Sequence, residues 1–319
     1  MINPRFKSLI FAFLFFLFGI GTVSAFEITK YENMPVEGDL VLGPGKSELF
    51  LSPGEVGVKE LKITNRTGNP LQISVDIEDF TGDNLNSTKL LGNDRGPYSL
   101  RDYIKPEKSN FILAHGEKAN LIVDINIPKD AEPGGLYGAA IIRADKVIQN
   151  NPDGKVEGTK GQVSLSTRLA SLFFVRIKGD AKEEGQLKSF LTDKKFYQNG
   201  NVNFSILYEN TGRVHLNPYA TIEITNLLGK KIDSLDVAPW FVMPGFSRDR
   251  TVQWNKTLAL GRYTATLKLN KGYGDNITEA KTTFYIIPLK IVLIGLGSII
   301  ILAILIVWFS SKFELKKNK

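Results

Sequence analysis

The sequence predicts an all-β ectodomain of two tandem immunoglobulin-like β-sandwiches, with a signal peptide before them and one C-terminal transmembrane helix after them. Three observations predict it. Apolar and polar residues alternate with period two in segment after segment. Turn residues break these segments at short intervals, with almost no helix-period pattern between them. The long charge-free apolar run near the C-terminus fits a bilayer span, not a strand.

Taking the elements in order, residues 1–25 read as a secretory signal. Arg5 and Lys7 supply the positive start, Leu9 to Ile20 the apolar stretch, and Val23-Ser24-Ala25 a small-residue cleavage site. The first sandwich is expected over residues 40–178. Leu71, Ile73, Val75 and Ile77 alternate with Gln72, Ser74, Asp76 and Glu78, which buries one face of a strand and wets the other. Leu121, Val123, Ile125 and Ile127 repeat the pattern before Pro128. Gly43-Pro44-Gly45-Lys46-Ser47 resembles the end of a phosphate loop, but Leu40 stands where that loop needs its first glycine, so it reads as a turn before a strand. Two insertions enlarge this domain. One spans Thr81 to Lys108, with a short helix expected near Ser99 to Ile104, capped by Ser99 and stopped by Pro106. The other, Asp145 to Gly161, is polar and is expected to form a projecting hairpin tip between the strands Leu136–Ala144 and Gln162–Ile177.

Residues 179–185 are charged and lack apolar anchors, so they read as a linker. The second sandwich is expected over residues 186–287. Val202, Phe204, Ile206 and Tyr208 alternate there, as do Tyr263, Ala265, Leu267 and Leu269. Asn65-Arg66-Thr67-Gly68 and Asn210-Thr211-Gly212 end strands at similar places in the two halves, as duplicated units or independent Asn-Gly turns would. Residues 291–309 then form the membrane span, flanked by Lys290 and by Trp308 and Phe309. The Lys-rich tail, residues 310–319, is expected in the cytoplasm, with the ectodomain outside the cell.

The net charge of +7 belongs mostly to the chain ends. Arg5 and Lys7 give +2, Lys290 gives +1, and the tail gives +3, so residues 26–289 keep +1. That is weak support for a nucleic-acid partner, and none is expected. The absence of cysteine excludes a disulfide scaffold, thiolate zinc and a cysteine nucleophile, and His115 and His215 are the only histidines. Nucleophile elbows, zinc-protease helices and dinucleotide fingerprints are missing. No catalytic residue, cofactor or metal is therefore assigned, and the protein is read as a binder, not an enzyme. Asp76, Glu78, Asp79 and Asp83 gather acid near one loop, either for calcium or as a solvated strand edge. Both histidines read as turn-side residues, with His215 exposed.

Seven residues are candidates for binding. Gly134, Gly135 and Tyr137 open a strand rich in small residues, where a sugar or peptide can approach the backbone, or where the strand simply bends. Tyr98 and Tyr103 offer stacking surfaces or pack under the short helix. Trp240 and Phe241, in a loop between Pro239 and Pro244, form a contact surface if exposed, whereas Trp254 alternates with Val252 as a core residue does.

In its first domain the sequence resembles the WxL-interacting cell-surface proteins of bacteria, through Ser52-Pro53-Gly54, Leu61-Lys62-Ile63-Thr64-Asn65, Phe111-Ile112-Leu113-Ala114-His115-Gly116-Glu117 and Gly134-Gly135-Leu136-Tyr137-Gly138. Glu209-Asn210-Thr211-Gly212, Met243-Pro244-Gly245 and Gly261-Arg262-Tyr263 carry a looser resemblance in the second. It implies a peptidoglycan-binding domain followed by a partner-binding domain. The expected partners are cell-wall glycan or a surface protein. The alternative is an anchored pilus or surface-assembly chaperone that works by β-strand addition.

Overall fold

The structure is a computed structural model that describes residues 26–83, 87–147, 166–256 and 260–312. The predicted signal peptide, the 145–161 tip from residue 148 onward, and the tail from residue 313 lie outside the described residues. Among the described residues, nineteen strands and one long helix follow in order. The first eleven strands are β1 (Glu27–Lys30), β2 (Leu40–Gly43), β3 (Lys46–Leu51), β4 (Val56–Asn65), β5 (Leu71–Gly82), β6 (Thr88–Leu90), β7 (Ile104–Pro106), β8 (Asn110–Leu113), β9 (Glu117–Asn126), β10 (Gly134–Lys146) and β11 (Thr167–Ile177). Then come β12 (Gly185–Thr192), β13 (Phe196–Tyr197), β14 (Gly200–Asn210), β15 (Tyr219–Asn226), β16 (Lys231–Val237), β17 (Ser247–Lys256), β18 (Gly261–Asn270), β19 (Ile277–Ile286) and the helix α1 (Leu289–Lys312).

The chain divides into two compact units. One holds the described residues up to Asp79, with Gly92–Ala131 and Tyr137–Val175; the other holds Phe80–Leu91, Glu132–Leu136 and everything from Arg176 onward. In the first, β1-β9-β4-β2 form one sheet, with β7 also on β9. The second sheet runs β3-β11-β10-β5, with β8 also on β5, and β6 follows on the far end of β5, Phe80–Gly82, which is counted with the other unit. In the second unit, the sheets are β12-β14-β17 and β13-β19-β18-β15-β16. Both units are immunoglobulin-like sandwiches, in agreement with the predicted fold class.

The predicted alternations point inward. Leu121, Val123 and Ile125 on β9 and Val202, Phe204 and Ile206 on β14 are fully buried. The second core is aromatic: Phe284 contacts the rings of Tyr197, Phe204, Trp254 and Tyr263, with centroids 5.7–6.0 Å apart. Tyr197, nearly buried, donates its hydroxyl to Asp193 and accepts the Lys194 N–H at 3.0 Å. Burial, then the hydrogen bond to the Asp193 carboxylate, pushes its pKa up to about 12. A spectrophotometric titration should therefore lose a tyrosine titrating near pH 12 when Tyr197 is replaced by Phe. The stability tied to the neutral hydroxyl is complete below about pH 10, the ordinary tyrosine value. It is lost as pH rises toward 12.

The echo between the halves has a structural basis. Asn65 ends β4 and Asn210 ends β14, and both are fully buried. Each side-chain oxygen accepts the N–H two residues on, of Thr67 and of Gly212, at 2.9 Å. Each amide donates to the carbonyl four residues on, of Asn69 and of Val214, at 2.8 Å, and to a distant carbonyl, Leu113 and Val242, also at 2.8 Å. One side chain thus closes the turn and ties it to another segment of its own unit. Asn270 closes the turn after β18 in the same local way, through Gly272 N–H at 2.7 Å and Gly274 carbonyl at 2.9 Å.

Two expectations need correction. His215 is fully buried between Val214 and Leu216, its Nε2 3.3 Å from the Tyr273 hydroxyl, because the chain turns back into the core at Leu216. The helix near Ser99 is one 3-10 turn, Arg101–Tyr103, and Ser99 does not cap it. Its first N–H, of Arg101, goes instead to Asp79, 22 residues earlier. In the run read as a linker, residues 179–185, the Lys182 and Glu184 carbonyls accept the N–H groups of Arg213 and Thr211 at 2.8 and 2.9 Å.

After β19 comes α1, of 24 residues. Its stretch Leu293–Ser310 is long and apolar enough to cross a membrane, with a mean hydropathy of 2.6 and none of it buried in the protein.

Candidate functional site: a charged recess and an open strand edge

On the first unit, β5 brings Asp76 and Glu78 to one face, two residues apart. In register, Asp76 stands opposite Ile141 of β10 and Glu78 opposite Ala139. Arg143 of β10 reaches diagonally to Asp76, and Arg168 of β11 pairs with Glu78. The bond to Asp76 holds the Arg143 guanidinium further in its charged form than an isolated arginine. Glu78 also accepts the Gly92 N–H at 3.1 Å. These groups line a recess of about 480 Å³, completed by Ile77, Gly92, Asn93 and Arg101.

Arg101 reaches the recess because Asp79 puts it there. The Asp79 side chain is fully buried, and its carboxylate accepts N–H groups from Gly96, Leu100 and Arg101 at 3.2, 3.1 and 3.0 Å. The segment Gly96–Arg101 is thereby pinned to β5. Arg101 Nη1 then donates to the Gly92 and Asn93 carbonyls, both at 3.2 Å. No carboxylate lies within ion-pair distance of Arg101 among the described residues. Arg101 thus enters the recess beside the Asp76–Arg143 and Glu78–Arg168 pairs, with the buried Asp79 carboxylate at its own backbone N–H.

The acidic group expected as a calcium site or a solvated edge is neither for its two central members. Glu78 and Asp79 are buried, and their oxygens are taken by arginine and backbone donors. Asp83 accepts the Ser87 hydroxyl at 3.1 Å. No three His, Asp or Glu side chains gather as metal ligands among the described residues.

Beside the recess lies a strand edge. Ser171 Oγ donates to the Pro44 carbonyl at 2.6 Å, Leu172 N–H to the Gly45 carbonyl at 3.0 Å, and Lys46 Nζ sits 4.5 Å over the Phe174 ring. The two segments advance together, so β3 covers β11 from Leu172 onward. The chain just before it, β2, pairs with β4 in the other sheet. This switch at Gly43-Pro44-Gly45 leaves Thr167–Ala170 with no strand on that side among the described residues. Along a strand, backbone groups alternate sides. Ala170 and Arg168, two and four before Leu172, aim theirs at the uncovered side, while Leu169 and Ser171 face β10.

The residues proposed from sequence are differently disposed. Tyr137 is fully buried, its ring between Tyr98 at 6.0 Å and Phe174 at 5.7 Å. Gly135 is buried too and donates its N–H to the Arg213 carbonyl at 2.9 Å, while Gly134 is half-buried. The small-residue row serves internal packing: a Cβ on Gly138 would lie 2.6 Å from Ile104 Cδ1. Tyr98 and Tyr103 are half-buried. Trp240 is buried in the second core, which removes it from any exposed surface, and Phe241 is half-buried under the Arg248 guanidinium, 4.4 Å from its ring. Arg101, Arg143 and Arg168 were not foreseen. Arg143 and Arg168 leave one sequence trace, arginine within an apolar strand, which solvated surfaces share, and Arg101, in its 3-10 turn, leaves none.

No family model matches this sequence. No curated protein matches it either. Among solved structures, the class 5 fimbriae chaperone CfaA is similar at 10% identity and a TM-score of 0.39, over 77% of this chain and 99% of that one. The E. coli chaperone DraB is similar at 13% identity and a TM-score of 0.34, over 76% and 98%. The Salmonella enterica SafA pilin–SafB chaperone structure is similar at 14% identity and a TM-score of 0.36, over 76% and 96%. The described residues themselves establish two β-sandwich units and one apolar helix, with a charged recess next to an open strand edge on the first unit.

Proposed function

We propose that this chain is a single-pass membrane protein that displays its sandwiches outside the cell and binds a surface protein by strand addition along β11. The carrying observation is the sheet switch at Gly43-Pro44-Gly45, which leaves Thr167–Ala170 with no strand on one side among the described residues. An uncovered edge is a template for another chain, and main-chain hydrogen bonds supply the affinity. The apolar helix supports the anchored arrangement, with the Lys-rich tail inside. This favours the assembly-chaperone form of the reading over docking to peptidoglycan, for which the buried Tyr137 and Gly135 leave little surface. The resemblance to WxL-interacting proteins belongs to the same proposal.

Ala170→Pro tests it. Proline removes the outward N–H at position 170 and leaves the bonds of Leu169 and Ser171 to β10 in place. In crosslinking pull-downs from intact cells, the wild type should capture a surface protein that the variant loses, with the unfolding midpoint little changed. Equal capture by both, or capture of wall glycan alone, would overturn the reading.

A further inference from the structure

We infer that the end of the second sandwich from which α1 leaves rests on the surface of the lipid bilayer, with the Leu227-Leu228 turn as its apolar foot. The inference rests on the reading of α1 as a membrane span. The chain path brings that end to the lipid. β19 ends at Ile286 and α1 begins at Leu289. Even fully extended, that link is no longer than about 11 Å. The apolar stretch starts at Leu293, about 6 Å further along the helix. Ile286 is therefore tethered close to the headgroup layer, which is about 5–8 Å deep on each side.

Strand register places three apolar features at the same end. Ile286 pairs with Gly261 of β18, which follows Leu260. The next strand, β15, ends at Asn226 opposite Tyr263, so its turn into β16 projects there too. On the other side of β19, the parallel strand β13 sets Phe196 opposite Tyr285. The sheet order spreads these features in a row, three strand spacings or about 14 Å from Phe196 to the turn.

Turns favour polar residues, yet this row is apolar. Leu227 and Leu228 are 70 and 88% exposed, Leu260 63% and Phe196 61%. Scattered single side chains of this kind are ordinary; a group at one end marks a contact surface. The turn is held in shape: Asn226 Oδ1 accepts the N–H groups of Leu228 and Lys230, and the Asn226 carbonyl accepts that of Gly229, all at 3.0 Å. A preformed turn loses little freedom on binding.

The charge fits anionic headgroups. Residues 226–231, 260–262 and 286–290 hold Lys230, Lys231, Arg262 and Lys290 and no acidic residue. Further up the strands, Glu223 pairs with Lys231 and Lys268, Asp233 accepts the Trp254 indole N–H in the field of Lys256, and Asp193 accepts the Tyr197 hydroxyl beside Lys194 and Lys195. Counting all of these, the end keeps a net positive charge, which attracts anionic lipid over about a Debye length.

The chain has no cysteine, so a label goes only where one is introduced. Full-length Leu228→Cys, Asp275→Cys and Ile299→Cys variants, each carrying a nitrobenzoxadiazole fluorophore, are placed singly in nanodiscs of phosphatidylcholine and phosphatidylglycerol. The lipid carries a spin-label quencher either near the headgroup or near the chain end. Asp275, exposed between β18 and β19 at the opposite end of the unit, reports water, and Ile299 reports the middle of the span. The label at 228 should shift its emission to the blue and be quenched most by the headgroup-level quencher; at 299 the chain-end quencher should dominate, and at 275 neither should act. Leu227→Asp should reduce the quenching at 228. A label at 228 that behaves like the one at 275, while 299 is quenched, would overturn the inference and leave the span intact. An unquenched label at 299 would overturn both. A blue shift at 228 without lipid quenching, the sign of a protein cover, or quenching that Leu227→Asp leaves unchanged, would overturn the inference as well.

Discussion

Asn210→Ala should destabilise the protein by about 3 kcal/mol or more, since each buried polar group left without a partner costs about 1–3 kcal/mol. Two groups are orphaned at once, the Val214 carbonyl and the Gly212 N–H, while the Val242 carbonyl keeps the Leu216 N–H at 3.0 Å. Urea denaturation followed by tryptophan fluorescence reads the loss, because Trp240 and Trp254 lie in the same core. Asn210→Asp separates donor from acceptor. The carboxylate can still accept from Gly212, but its second oxygen faces two carbonyls that the amide had satisfied. Its folded pKa should therefore be raised above the unfolded value. The acidic form is the one the site tolerates, so the variant should gain stability as pH falls through that raised pKa. An Asp variant as stable as wild type at neutral pH would show that the amide donor contributes nothing.

Asp79→Ala is the second large effect, expected at about 3 kcal/mol by the same reasoning. Gly96 and Arg101 lose their acceptor, and Leu100 keeps only the Tyr137 carbonyl at 3.3 Å. Hydrogen exchange should show lost protection over residues 96–103, with strands such as β9 unaffected. Asp79→Asn should cost less. Its remaining oxygen can still serve Leu100 and Arg101, which share Oδ1, while its amide meets the Gly96 N–H donor to donor.

The strands were legible because burial of one face writes itself as alternation, and the alternating residues of β9, β14 and β18 do lie in the cores. The turns at Asn65 and Asn210 were legible as turns, but their role as buried ties was not. Local spacing shows the bond to the residue two along and is silent about Leu113 and Val242. His215 and Trp240 were misread for a related reason. Proximity to turn residues suggests exposure, yet Leu216 and Val242 bridge to each other and carry their neighbours inward. The recess was hidden most completely. Arg101, Arg143 and Arg168 come from separate segments and meet through strand register. Asp79, which looks like one more acid on a polar edge, is the group that organises them.

The position of β19 has a mechanical consequence. Directly ahead of α1, it is an inner strand of its sheet, paired with β18 over ten residues and with β13 at Phe196 and Tyr197. Tension pulled through the apolar helix along this strand would load those ladder bonds together, in shear, instead of peeling them one by one. A tether joined this way can bear load from a gripped cargo before its own domain ruptures.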